Sequence, residues 1–240
     1  MNQKAKNRKQ IICSLLPEQS EKLMDVGCGP ILPSYPYADK AKQVTCLDWK
    51  LKRIEPIPSN INCLEGDFTK VDLPESSYDT IIASDVFEHV LLEQESAFIN
   101  KCVSLLKPGG HLILSVPHKG TFAWLDPYHV KPKVYRLLWH LGLYKQVHNG
   151  SCDIRKSHKH YTVEEITEKF KPLERLQTTY WGYFFDPLMS WAIALSKGSR
   201  RVPGYGWLEQ GYAKEIKSDY GKQSFNVALK FYKPPISEHV

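Results

Sequence analysis

The stretch Leu23-Met24-Asp25-Val26-Gly27-Cys28-Gly29-Pro30, followed by Leu47-Asp48-Trp49, decides how this chain folds. An apolar run that ends in two spaced glycines reads as a buried strand and a tight turn, and the second run reads as a strand that ends in a carboxylate. Gly27 and Gly29 let the backbone pass close to a ligand where a side chain would collide, and Asp48 has acceptor oxygens for a ribose diol. Together these parts describe a site for a nucleoside.

Phosphate-binding versions of the arrangement fit poorly. A dinucleotide fingerprint needs a third glycine three residues after the second, and Leu32 stands there; no Gly-Lys-Ser/Thr run of a P-loop is present. Pro30 also removes an N–H that a pyrophosphate would use. A nucleoside without phosphates fits better, and S-adenosylmethionine is such a ligand.

Outward from this stretch, apolar runs at 22–26, 44–47, 62–64, 80–83 and 111–116 are separated by polar or helical stretches. That spacing predicts alternating strand and helix units in an α/β fold, a mainly parallel sheet with helices on both faces and ligands at the carboxyl ends of the strands. A helix is expected over 5–17, another over 93–106, and a third over 161–170 with Thr162 and Glu165 forming a capping box. Strands near 173–180 and 225–232 would complete the sheet. The excursion 118–160 is too long for an ordinary connection and reads as a cap over an acceptor pocket. The aromatic segment 181–195 fits a pocket wall, a dimer face or a membrane interface. The organisation expected is a single domain over 1–240, with 118–160 and 181–222 as cap or acceptor-side insertions.

The chain has 240 residues, 42% hydrophobic and 24% charged, which suits one α/β core and excludes disordered and fibrous classes. The formal charge of +6 is modest, and its placement matters more. Lys4, Lys6, Arg8 and Lys9 form a basic amino-terminal arm, and Lys131, Lys133, Arg136, Lys145, Arg155, Lys156 and Lys159 crowd the middle. Such clusters suit a phosphate group, RNA, an anionic membrane face or plain solvent. No nucleic-acid recognition motif accompanies them, so nucleic acid is not an expected partner. Cys13, Cys28, Cys46, Cys63, Cys102 and Cys152 lack metal spacing and read as free thiols in a reducing compartment. The apolar run 11–16 is too short for a signal sequence, so a cytoplasmic location is expected. Peripheral membrane contact and a homodimer stay open.

With the glycine turn, Asp48, Gly66-Asp67-Phe68, Tyr78-Asp79 and Leu106-Lys107-Pro108-Gly109-Gly110 in order, the chain resembles the class I S-adenosylmethionine-dependent methyltransferases. Ser84-Asp85-Val86-Phe87-Glu88-His89-Val90 looks especially like the small-molecule branch that includes ubiquinone-biosynthesis O-methyltransferases, and the run from His158 to Glu165 recurs there too. The resemblance covers about residues 20–116. It implies a Rossmann-like fold with a seven-stranded, mostly parallel sheet and S-adenosyl-L-methionine as cofactor. It further implies that Gly27, Cys28 and Gly29 line the methionine and ribose, with Asp25 ordering the amino-acid end or a water. Asp48 would meet the ribose hydroxyls and Trp49 the adenine face. Asp67 would receive the adenine amino group, Phe68 would offer its N–H and its ring, and Ser84 and Asp85 would flank the sulfonium. Ile31 departs from the pattern where many relatives have a third glycine, and Pro33 and Pro36 disfavour a helix start after the turn.

Methyl transfer from a sulfonium is an in-line displacement that holds the acceptor lone pair about 3 Å from the methyl carbon, so positioning supplies most of the rate gain. A hydroxyl acceptor gains from a base that titrates near neutrality, for which histidine is suited. His118, leaving the fifth strand, is the first candidate; His89 and a pair formed by Asp126 and His129 are further ones, with His160 beside them. Asp85, Glu88, His89 and the distant His158 resemble a metal-assisted pattern, but aspartate shortens the first ligand's reach and no metal is expected. The reaction expected is methyl transfer to a hydroxyl of a small apolar, lipid-linked or phosphorylated acceptor, in small-molecule biosynthesis. An RNA or protein methyltransferase and a non-catalytic cofactor-binding scaffold are the rivals.

Overall fold

Prolines govern the first half of the chain. Pro30, Pro33 and Pro36 fall between the first two strands, Pro56 and Pro58 between the second and third, and Pro74 before the fourth. Each denies a helix its backbone donor. The computed structural model, which describes residues 3–128, 137, 140–143, 148–149, 152–153, 159–195 and 204–235, carries only a 3-10 turn at Ala38–Lys40 in these connections. The expected strand–helix alternation is therefore corrected for this half.

The sheet itself follows the expectation. Strands β1 (Ser20–Val26), β2 (Ala41–Asp48), β3 (Ile61–Glu65), β4 (Tyr78–Ser84) and β5 (Leu106–Pro117) run parallel. After a small antiparallel pair, β6 (His148–Asn149) and β7 (Cys152–Asp153), come β8 (Glu174–Trp181) and β9 (Asn226–Tyr232). The seven-stranded order is β3-β2-β1-β4-β5-β9-β8, with β9 antiparallel to both neighbours. Loops after β1, β2, β3, β4 and β5 thus gather at one edge, where this class of sheet binds ligands.

Helices α2 (Glu95–Leu105) and α3 (Val163–Lys169) cover one face, with Phe98, Cys102, Leu105, Val163 and Ile166 buried against Met24, Ile81, Leu114, Val116 and Leu229. The capping box of α3 forms as expected: Thr162 Oγ1 accepts from the Glu165 N–H and the Glu165 carboxylate accepts from the Thr162 N–H. The other face is covered by α1 (Gln3–Leu15), whose Ile12 and Leu15 pack on Leu23, Val44, Ile82, Ile113 and Ala228. Each of these two side chains contributes roughly 1.5–3 kcal/mol by leaving water.

Helices α4 (Phe185–Leu195) and α5 (Tyr205–Glu215) form a hairpin around Met189, Ala192, Tyr205 and Tyr212. The Glu215 carboxylate accepts the backbone N–H groups of Tyr183, Phe184, Phe185 and Asp186, so the far end of α5 caps the start of α4. The aromatic segment 181–195 therefore turns inward, with Trp181 and Met189 buried. No helix among the described residues is long and apolar enough to cross a membrane.

Candidate functional site

At the carboxyl edge of the sheet the glycine turn is tied down bond by bond. Gly27 and Cys28 donate their N–H groups to the Leu47 carbonyl, at 2.7 and 3.2 Å, and Gly29 donates to Asp48 Oδ2 at 2.9 Å. Pro30 has no N–H, and Ile31 donates to the Lys52 carbonyl. Every donor of residues 27–31 is engaged within the protein, so the turn presents no nest of N–H groups to a pyrophosphate. Gly27 and Gly29 sit at φ +69° and +64°. A side chain at Gly27 would collide with Val86 Cγ2, while the space beside Gly29 is open. That opening leaves room for a ligand.

Asp48 lies at the end of β2, its oxygens also accepting from the Lys50 N–H at 3.1 Å, which fixes the carboxylate beside the turn. Trp49 follows it with its ring half exposed. The Cys28 side chain points inward against the second core, where the neighbouring Cys46 thiol and burial hold its thiol protonated well above the ordinary range. Only the backbone of Cys28 faces the turn's ligand side.

Asp67 follows β3 and accepts from the Thr69 N–H and Oγ1 at 3.0 and 2.7 Å. Burial pushes its pKa up, but these bonds and Lys70 outweigh it and hold the carboxyl below its usual range. The Phe68 ring corrects an expectation: it is 6% exposed and packs on Phe98 in the core, so only its backbone is available to a ligand.

Asp25 and Asp85 occupy the α1 side of the edge. Asp85 stands at φ +55°, a strained position for a residue with a side chain, and is held there by the Arg8 guanidinium and by the Ser115 hydroxyl at 3.0 Å. Ser84 and Ser115 share a hydrogen bond of 2.9 Å beneath it. Asp25 is 5% exposed and accepts the Tyr35 hydroxyl proton. Burial raises its pKa to about 7 against the opposing pull of Tyr35, Lys9 and Arg8. Arg8, Lys9 and Tyr35 carry this corner and were not among the expected site residues. Their signal was the spacing of Lys4 and Arg8 four residues apart on a helix whose Ile12 and Leu15 face the core. The basic arm thus bends inward, with Lys4 on Asp186 at 2.5 Å and on Ser190 at 2.6 Å.

The Asp25 shift gives a measurable slope. Free aspartate titrates near 3.8, so between that value and about 7 the folded chain holds a proton that the unfolded chain releases. Stability from this group is full below that window and falls as pH rises through it, by up to about 4 kcal/mol. Asp25→Asn should gain on wild type in thermal unfolding as pH moves from 5 to 8. A difference independent of pH would mean that Asp25 ionises as freely in the folded chain as in the unfolded one.

The histidines divide. His118 lies on the α2/α3 side, 3% exposed, with Nδ1 against the Ser224 carbonyl at 3.0 Å and its ring edge-on to Tyr180. Burial lowers its pKa. In this position it anchors the exit of β5 to the start of β9 rather than facing the edge. His89, on the loop after β4, keeps a 40% exposed side chain, with Nε2 3.9 Å from Glu88. Asp126 pairs with His160 at 2.6 Å; the expected partner His129, like His158, lies outside the described residues. His160 Nδ1 in turn meets the His118 carbonyl at 2.9 Å. The structure therefore gathers Asp25, Gly27, Gly29, Asp48, Trp49, Asp67, Ser84, Asp85 and His89 at the carboxyl edge, and sets His118 and Asp126 at the root of the cap.

Comparisons with known proteins bear on the domain and the fold. Residues 24–114 match the family model described as a methyltransferase domain. A ubiquinone biosynthesis O-methyltransferase of Xanthomonas euvesicatoria is 33% identical over 116 residues, 45% of this chain and 48% of that protein. A probable S-adenosylmethionine-dependent methyltransferase of Mycolicibacterium smegmatis is 26% identical over 117 residues, 45% of either chain. The chain thus spans a little under half the length of the curated relatives it matches. Among solved structures, the N-methyltransferase NodS of Bradyrhizobium japonicum in complex with S-adenosyl-l-homocysteine superposes with a TM-score of 0.53 at 12% identity, over 97% of this chain and 89% of that one.

Proposed function

We propose, from the match of residues 24–114 to a methyltransferase domain, that the chain transfers a methyl group from S-adenosylmethionine to a hydroxyl of a small apolar, lipid-linked or phosphorylated acceptor. The observation that carries this is the glycine turn with all its donors engaged, an open flank at Gly29, and Asp48 fixed beside it. Such a cradle suits a nucleoside that brings no phosphates.

The residues fit that group along its length. Asp48 would take the ribose hydroxyls, Trp49 the open adenine face, and Asp67 with the Phe68 N–H the adenine edge. At the amino-acid end the Arg8–Asp85 ion pair matches a zwitterion, guanidinium to carboxylate and carboxylate to ammonium. Asp25 and Tyr35 close the floor. When bound, the cofactor supplies an electrophilic methyl on a positively charged sulfur. The chain's own task is to orient the acceptor and receive its proton. His89, exposed at the mouth of β4, is the group suited to that proton, while buried His118 and the Asp126–His160 pair hold the cap in position. The inward turn of Lys4, Arg8 and Lys9 removes the amino-terminal arm as a polyanion-binding feature and weighs against an RNA acceptor.

Incubation of cell extracts with methyl-labelled cofactor, followed by separation into lipid, polar-metabolite, RNA and protein fractions, tests the reading. Label is expected in lipid or small metabolites. Label mainly in RNA or protein would overturn the acceptor class, and cofactor binding without label in any fraction would point to a scaffold.

A further inference from the structure

Two buried polar groups at the start of β9 have nothing to bond to. The Ser224 hydroxyl and the Asn226 Nδ2 group find no hydrogen-bond partner among the described residues, although Ser224 is 0% exposed and Asn226 7%. An unmade bond of this kind costs folding free energy, and native structures keep few of them. The period of extended chain sets the two groups side by side. Ser224 is extended, at φ −62° and ψ 153°, and leads into β9, so its side chain and that of Asn226 leave the same face. Ala228, two residues on, packs in the cluster beneath α1, which identifies that face.

The acids of the site lie on the same side. Asn226 stands opposite Pro117 of β5, one step beyond the pair formed by Ala228 and Ser115, and the Ser115 hydroxyl donates to Asp85. Only β5 separates β9 from β4, so the Asn226 backbone lies about 10 Å along the edge from the exit of β4. With side chains reaching in from both ends, the span between them suits a body the size of one aromatic ring. What lies over it is pliable. Lys4 rests 5.5 Å above the Phe225 ring and reaches Asp186, and Arg8 reaches Asp85. A ligand entering from the edge has to move the tips of long side chains rather than the sheet.

We propose that Asn226, with Ser224 beside it, binds an oxygen of the methyl acceptor at the end remote from the methylated atom. The pair thereby selects acceptors that carry an oxygen at each end of a ring-sized body. The inference rests on the methyl transfer proposed above. Both groups offer a hydrogen to such an oxygen, and a site built to bond an oxygen rejects analogues that lack it.

Ser224→Ala and Asn226→Leu test it. Each removes a polar group that the fold leaves unbonded, so the thermal midpoint should rise by about 2–4 °C. The amount of the label-accepting extract fraction needed for half-maximal transfer should rise at least tenfold for Asn226→Leu, with S-adenosylhomocysteine affinity unchanged by calorimetry. A gain in stability coupled to a loss in acceptor affinity is a signature that a merely structural residue does not give. Unchanged half-saturation, with label still transferred, would overturn the inference and leave the methyl transfer standing. A lowered midpoint for Ser224→Ala, which deletes one oxygen and cannot overpack, would overturn it as well by showing that the hydroxyl is bonded within the fold. No label from wild type in any fraction would overturn both readings. Label mainly in RNA or protein would overturn the acceptor class and the ring-sized acceptor with it.

Discussion

Asp126→Ala is expected to lower the free energy of unfolding by about 1–3 kcal/mol, the usual cost of leaving a buried donor without its acceptor. The carboxylate and the His160 imidazole are 3% exposed each and 2.6 Å apart. Asp126 Oδ1 also accepts from the Tyr128 N–H at 2.8 Å, so the substitution strips a turn donor as well. The effect should propagate, because the network joins three separate pieces of chain. His160 reaches the His118 carbonyl; the His118 N–H donates to the Phe225 carbonyl, and its ring meets Ser224. Both ends of the 118–160 excursion and the start of β9 are thereby fastened at one point. Asp126→Asn, which keeps the shape and the acceptor for Tyr128, should lose less. Chemical denaturation of the three proteins checks this, and a loss under about 1 kcal/mol for alanine would show that the pair contributes little beyond what water replaces.

Asp48→Ala should weaken S-adenosylmethionine and S-adenosylhomocysteine by about ten- to a hundredfold, or roughly 1.5–3 kcal/mol, through loss of charge-assisted bonds to the ribose. The substitution also releases the Gly29 and Lys50 N–H groups that the carboxylate holds. Titration calorimetry of wild type and variant measures it, and unchanged affinity would take Asp48 out of the site. In the same titrations NAD and ATP should bind wild type far more weakly than the sulfonium compound, because residues 27–31 have no donor left for a phosphate. NAD binding tighter than S-adenosylmethionine would overturn the cofactor assignment.

The strands and the α3 cap were legible because each rests on neighbours in sequence. Apolar runs mark the strands, and Thr162 and Glu165 are three residues apart. The missing helices after β1, β2 and β3 were legible only in part. Pro33 and Pro36 warned of the first, but the prolines at 56, 58 and 74 were outweighed by the expectation of regular alternation. The site's glycines and acids could be read from motif order, whereas the inward use of Arg8 could not, since Asp85 lies seventy-seven positions away along the chain. The same holds for the bond between Asp126 and His160, which lies thirty-four positions on. For His118 the parity of β5 was the available clue. It shares a face with Leu114 and Val116, which pack toward α2 and α3, and so turns away from Ser115 and Asp85.

The cover that α1 gives the sheet has a consequence for biosynthesis. The helix leaves the ribosome before the sheet that it covers, yet Ile12 and Leu15 share their apolar cluster with Ala228 of β9, made some two hundred residues later. Arg8 and Lys9 likewise meet Asp85 and Asp25 only when α1 has a finished sheet to lie on. Until β9 emerges the nascent chain therefore exposes the apolar side of α1 and an uncovered sheet face, a state that invites aggregation or chaperone capture.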